Sequence, residues 1–160
     1  MKKLFFFLTL LLIAGCAVNS SSINPVKYDP EEIYFDVVQK KLTINTDLPD
    51  HVQLLLNKWF DEKVKINGFK GNMEFIVSDF NQKISPIENG KKVDAYLEFQ
   101  ILLNKPSLSR IESIKGSISN YGSLTGTFSI NDFEALKKNT QGNLIKNLSK
   151  YLKSKVLSKL

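Results

Sequence analysis

Between Val93 and Leu103 every second residue is apolar: Val93, Ala95, Leu97, Phe99, Ile101 and Leu103. Asp94, Tyr96, Glu98 and Gln100 stand between them. Side chains alternate across a β-strand, so this spacing gathers six apolar groups on one face and leaves a polar set on the other. A helix would scatter both sets around its circumference. The chain therefore has to build a sheet with one buried face and one wet face, and something else in the chain has to cover the buried one.

Two amphipathic helices supply that cover. Val52, Leu55, Leu56, Trp59, Phe60 and Val64 follow three-four spacing after Asp47-Leu48-Pro49-Asp50. This predicts a helix of about four turns, with Asp50 as a candidate N-cap and Asn67-Gly68 as its stop. Phe133, Leu136, Leu144, Ile145, Leu148, Leu152 and Val156 make a second stripe. Ser129-Ile130-Asn131-Asp132 reads as a capping box that opens it, with Asn131 to Glu134 as a competing choice. Gly142 weakens its middle by up to ~1 kcal/mol relative to Ala and could bend it.

Further strands follow from period two. Ile33, Phe35 and Val37, then Leu42 and Ile44, predict a first strand or two strand pieces over Ile33 to Asn45. Met73, Phe75 and Val77 begin another over Met73 to Ile84, ended by a loop at Pro86 to Gly90. Ile111 to Ser129 is β-like but rich in Ser, Gly and Thr: one strand with a bulge near Asn120-Tyr121-Gly122, or two strands joined there. The expected fold is α+β, an antiparallel sheet of about four strands with two helices packed on one face, in the order β-α-β-β-β-α.

The leader is a different kind of segment. Met1-Lys2-Lys3 is basic, Leu4 to Ile13 is apolar except for Thr9, and Ile13-Ala14-Gly15-Cys16 closes it with small residues and the chain's one cysteine. That order predicts a secretory signal peptide over residues 1–15 with cleavage between Gly15 and Cys16. The apolar run falls short of the roughly 20 residues of a transmembrane helix. A lone cysteine permits no internal disulfide. Residues 16–31 are small and polar and read as a tether; about 14 residues of coil span about 20 Å. Residues 32–160 remain as one α+β domain, long enough for its own core.

Ile13-Ala14-Gly15-Cys16 resembles the bacterial lipobox, with isoleucine in place of the usual leucine. The resemblance implies that Cys16 is the lipidation site, carrying diacylglycerol on sulfur and an N-acyl chain, with no other cofactor. Ala17 stands where an aspartate tends to retain enterobacterial lipoproteins in the inner membrane, which implies outer-membrane sorting and a periplasm-facing domain. The domain is similar in element order to two groups of small envelope lipoproteins. One is the YajG type, through the Gly-aromatic step Asn67-Gly68-Phe69. The other is the LptE type, lipopolysaccharide-assembly lipoproteins whose sheet carries two helices; here Ala17-Val18 replaces their common Gly-Phe.

Charge and motifs exclude several functions. The 160-residue chain carries a formal +6, about +4 without Lys2 and Lys3, and seven lysines lie between Asn131 and Leu160. Arg110 is the only arginine, which argues against nucleic-acid recognition because base and phosphate readers favour the guanidinium fork. His51 is the only histidine, and neither His-Glu-x-x-His nor Cys-x-x-Cys occurs, so no zinc site is expected. General-base work by His51 needs a positioned partner. Gly122-Ser123-Leu124-Thr125-Gly126 lacks the spacing of a nucleophile elbow. Asp94 and Glu98 share a strand face but lie about 13–14 Å apart, too far for a paired-carboxylate site. No catalytic or metal residue is expected.

Two surfaces stand out as interaction faces: the wet face of the sheet, with Tyr96 and Gln100 and the apolar Ile76 and Leu102, and the lysines of the last helix, Lys146, Lys150 and Lys153 among them. The expected function is that of a non-enzymatic lipoprotein, held on the membrane by its lipid, that binds an outer-membrane or envelope-assembly protein. The alternative is a carrier of lipid or lipopolysaccharide or an auxiliary subunit of a lipid transporter. A groove between helices and sheet would mark the alternative, a filled core the first reading.

Overall fold

The computed structural model describes residues 31–105 and 110–156. Their elements are β1 (Ile33–Phe35), β2 (Gln39–Ile44), α1 (Asp50–Lys63), β3 (Val64–Ile66), β4 (Asn72–Ile87), β5 (Gly90–Lys105), β6 (Arg110–Thr125) and α2 (Ile130–Tyr151), which runs on into a π-type turn at Leu152–Val156. The leader, Gly15, Cys16 and nearly all of the tether lie outside the described residues.

The α+β class, the strand-helix order and the two-layer arrangement are as the periodicity predicts. Four strands form one sheet in the order β2-β4-β5-β6. β4, β5 and β6 are an antiparallel meander of three 16-residue strands. The sheet is mixed rather than antiparallel throughout, because β2 joins β4 in parallel, with Leu42 opposite Phe75 and Ile44 opposite Val77. Parallel neighbours need a crossover, and α1 lies within it. The same helix separates a second parallel pair, β1 with β3, in which Ile33 faces Val64 and Phe35 faces Ile66.

β3 was not expected, and it explains why α1 ends four residues before Asn67-Gly68. Lys40, on the inner side of β2, donates from Nζ to the carbonyls of Phe60 at 2.8 Å and Val64 at 2.6 Å. Those acceptors are carbonyls that a helix C-terminus leaves unpaired. Beyond them, backbone pairing with β1 offers Val64 to Ile66 better satisfaction than another helical turn. The N-terminus also differs from expectation. Pro49 is the N-cap, its carbonyl accepting from the Val52 and Gln53 amides at 2.8 and 3.0 Å, and Asp50 is the first helical residue. There its carboxylate favours the positive end of the helix dipole.

β4 keeps its apolar face through a bulge. Val77 pairs with Phe99 and Asp79 with Glu98, which leaves Ser78 as an extra residue. The inward-facing set is odd-numbered before it (the buried Met73, Phe75 and Val77) and even-numbered after it (the half-buried Phe80 and Gln82). One inserted residue offsets the parity change, so the strand does not turn its apolar groups to water. The loop expected at Pro86 to Gly90 is tighter than that: β4 runs through Pro86 to Ile87, and only Glu88 and Asn89 turn the chain, Asn89 at φ 53°. β6 pairs with β5 from Thr125 to Arg110 with no register shift, so it is a single unbulged strand.

α1 and α2 cover the same face of the sheet. Trp59, Phe75 and Phe99 form a continuous aromatic row: Trp59 meets Phe75 edge-on with centroids 5.4 Å apart, and Phe75 stacks on Phe99 at 5.0 Å. Tyr151 meets Phe99 edge-on at 5.7 Å. Leu56, Leu97, Ile101, Leu144, Leu148 and Leu152 fill the space around these rings. The one polar atom of Trp59 is satisfied: Nε1–H donates to Ser149 Oγ at 2.9 Å, as burial of an indole requires. The capping box of α2 is present as expected, with the Ser129 hydroxyl accepting from the Asp132 amide and Asp132 Oδ2 accepting from the Ser129 amide.

Candidate interaction surface

Tyr96 and Gln100 lie on the uncovered face of β5, as the alternation predicts, and both are half-buried. Register places Tyr96 between Asn81 of β4 and Ser119 of β6, and Gln100 between Ile76 and Lys115. The face is laced by polar contacts. Tyr96 Oη donates to the Glu98 carboxylate. Gln100 Nε2 donates to Ser113 Oγ at 2.7 Å. Thr43 Oγ1 donates to Glu74 at 2.5 Å, and Lys41 pairs with the same carboxylate at 3.0 Å. Those two donors hold the Glu74 carboxyl below the usual carboxylate range, while the bond to Glu98 raises the Tyr96 phenol. Ile76 and Leu102 are half-buried among these groups. The face is therefore a hydrated polar sheet surface with one aromatic rim, where Tyr121 of β6 is 70% exposed beneath the Lys92 ammonium.

The lysines are elsewhere. Lys146 and Lys150 of α2 and Lys153 of the turn that follows it stand on the covered side of the sheet and line a depression of about 490 Å³ with Glu31, Ser149 and Ser154. Lys146 and Lys150 are exposed and Lys153 is half-buried. The two surfaces that the sequence singles out are thus on opposite sides of the molecule. They come closest at β6, where Lys150 also lines a groove of about 370 Å³ with Ser117, Ile118, Ser119, Asn147, Tyr151 and Ser154.

α2 lies close over β6 because β6 is small there. A Cβ on Gly122 would stand 2.7 Å from Leu136 Cδ1 and 2.8 Å from Thr140 Oγ1; one on Gly116 would stand 2.6 Å from Phe99 Cζ and 3.1 Å from Tyr151 Cε1. Asn120 Nδ2 donates to the Thr140 carbonyl at 3.0 Å. The Ser- and Gly-rich composition that makes β6 look irregular in sequence is what lets a helix lie directly upon it. The groove beside β6 was not foreseen, since strand order cannot be read from one strand.

Lys40 stands outside the residues that the sequence singles out. Its ammonium stands 4.8 Å from the Phe60 ring centroid, and burial lowers its pKa, the Asp61 carboxylate opposing. The signal was present: a lysine at the head of the alternation Lys40, Leu42, Ile44 sits on an inner face. His51 lies in the first turn of α1, beside Asp50. Among the described residues no three His, Cys, Asp or Glu side chains gather as a metal site would need, and no helix is long and apolar enough to cross a membrane.

No protein-family model and no curated protein matches the chain. Solved structures do. A minor lipoprotein from Acinetobacter baumannii superposes with a TM-score of 0.51 at 10% identity, over 74% of this chain and 93% of that one. The rare lipoprotein B from Shewanella oneidensis gives 0.48 at 13% identity, over 76% and 98%. At such low identity the likeness reaches the fold and no further: the domain built on this sheet and its two helices shares the fold of the Acinetobacter minor lipoprotein.

Proposed function

We propose that the protein is a non-enzymatic lipoprotein of the cell envelope, anchored in the outer membrane through Cys16 and facing the periplasm, whose domain binds an outer-membrane or envelope-assembly protein. The observation that carries the reading is a lipoprotein fold following a lipobox-like Ile13-Ala14-Gly15-Cys16. Two or three acyl chains would hold the domain firmly, where one gives only reversible binding.

A filled interior favours protein contact over lipid carriage. An acyl-chain carrier needs space between its helices and its sheet. Here Phe75, Phe99, Leu144 and Leu148, each at most 1% exposed, occupy that interval. Lys146 and Lys150, both exposed on α2, would attract anionic groups, phosphates of lipopolysaccharide included, by charge at the surface.

The test has two parts. Cys16→Ser should release the processed domain to the soluble fraction; retention of that variant on membranes would remove the anchor. Crosslinking in cells followed by mass spectrometry should recover an envelope protein in stoichiometric amount. Recovery of lipid without protein would replace this reading by the carrier.

A further inference from the structure

We infer that the outer edge of β6 is a strand-addition site for an extended, acidic segment of the protein partner. This deepens the partner-binding reading and rests on it.

The two edges of the four-stranded sheet differ in what protects them. Edge strands present unpaired amides and carbonyls, and proteins usually blunt them with short length, charge, proline or a bulge. The β2 edge is six residues long and begins Gln39-Lys40-Lys41. The β6 edge is 16 residues long and in unbroken register with β5. Between Ser113 and Thr125 it carries one charge, Lys115, and no proline.

The phase of the ladder can be stated. The Gly126 amide donates to the Asn89 carbonyl at 2.7 Å, in line with the pairing of Thr125 with Gly90. Inward and outward backbone groups alternate along an antiparallel strand. Even-numbered residues of β6 therefore bond β5, and Lys115, Ser117, Ser119, Tyr121 and Ser123 turn their amides and carbonyls outward. Among the described residues no backbone group bonds them from that side.

The occupant follows from charge. The groove of about 370 Å³ beside Ser117–Ser119 is roofed by Asn147 and Lys150 of α2, and Lys115 stands on the open face of the same edge. A new strand would place alternate side chains beneath Lys150 and the others beside Lys115, so carboxylates on the added strand meet a cation on either face. A second copy of this chain fits less well: pairing β6 with its twin would set the lysine-bearing flanks of two α2 helices side by side, a like-charge contact.

The probes are decapeptides of alternating Val with Glu or with Lys, titrated into the full-length protein in detergent while amide hydrogen exchange is followed. The Val-Glu peptide should slow exchange at Ser117, Ser119 and Tyr121 at least tenfold at saturation, with even-numbered amides unchanged. Ser117→Pro, which removes an outward donor and spares the β5 ladder, should abolish the effect. Lys150→Glu, which leaves the backbone untouched, should weaken peptide binding at least fivefold. No protection, equal protection by the Val-Lys peptide, or protection by the protein's own dimerisation would overturn the inference. In cells, a photocrosslinking residue at Ser119 should give a protein adduct that Ser117→Pro removes. Adducts at Asn81 on the open face but none at Ser119 would overturn the edge site alone; adducts at neither would overturn the partner reading with it.

Discussion

The two ends of the covered sheet are packed by different means. At the base, Trp59, Phe75, Phe99 and Tyr151 pack ring against ring, Phe75 and Phe99 stacked and the outer two edge-on. At the tip of the β4–β5 hairpin, Gln141 donates to Gln82, the Lys91 ammonium lies 4.8 Å from the Phe133 ring, and Leu136 rests over Gly122. Large rings stabilise through area removed from water, and their loss leaves cavities. The tip relies on smaller, partly wet contacts, which individually contribute less and tolerate adjustment. Stability should therefore fall off from base to tip, and each substitution below bears on that gradient.

The largest effect is expected at the base. Phe99→Ala should cost about 3–5 kcal/mol, read as a lowered urea midpoint with an unchanged m-value. A loss below about 1 kcal/mol would break the comparison. Next comes the paired glycine test. Gly116→Ala drives a methyl into the Phe99 ring, which Phe75 and Tyr151 hold in place, and should cost about 1–3 kcal/mol. Gly122→Ala presses on the end of the flexible Leu136 side chain and on Thr140 Oγ1 and should cost less than Gly116→Ala. The reverse order in thermal melts would locate the rigid end at the tip.

At the start of α2, Ser129→Ala removes the capping hydroxyl and should cost about 1 kcal/mol. Gly142→Ala should act in the opposite direction. The added Cβ would stand 3.9 Å from Leu55 Cδ1, an ordinary contact, so the gain in helix propensity, up to about 1 kcal/mol, goes unopposed. A lowered melting temperature would show the α1–α2 contact to be tighter than that spacing implies. The smallest effect is one of pH. The amide and hydroxyl of Ser129 hold the Asp132 carboxyl below its ordinary value. A depressed folded-state pKa means the contribution is full above the unfolded carboxylate range and is lost as pH falls through the folded value. In Ser129→Ala the Asp132 titration, followed by NMR, should move upward; no movement would remove the hydroxyl's share of the cap.

Much of the fold is legible in residue spacing. The alternation from Val93 to Leu103 is the central strand, the Ser129–Asp132 capping box opens α2, and the change from odd to even apolar positions in β4 records the bulge at Ser78. The candidate surfaces are legible only in part. Tyr96 and Gln100 fall on the open face because strand parity requires it, and the α2 lysines are solvent-facing because the stripe opposite them is buried. That these two surfaces lie on opposite sides, and that β6 runs between them as an edge, has no local signature. Lys40 and β3 were missed for a related reason: each is explained by a partner at least 20 residues away, the carbonyls of α1 in one case and β1 in the other.

What the sequence determined by itself is everything that repeats at short range: which residues face inward, where the helices start, and that one sheet face must be covered. Side-chain direction is set by backbone geometry within a few residues, so it can be read along the chain. What only the tertiary structure decided is partnership: β2 parallel to β4, β1 with β3, and β6 left with one neighbour among the described residues. Strand pairing is settled by which distant segments bury the most apolar surface while satisfying their backbone groups, and that competition is between parts of the chain that no local pattern brings together.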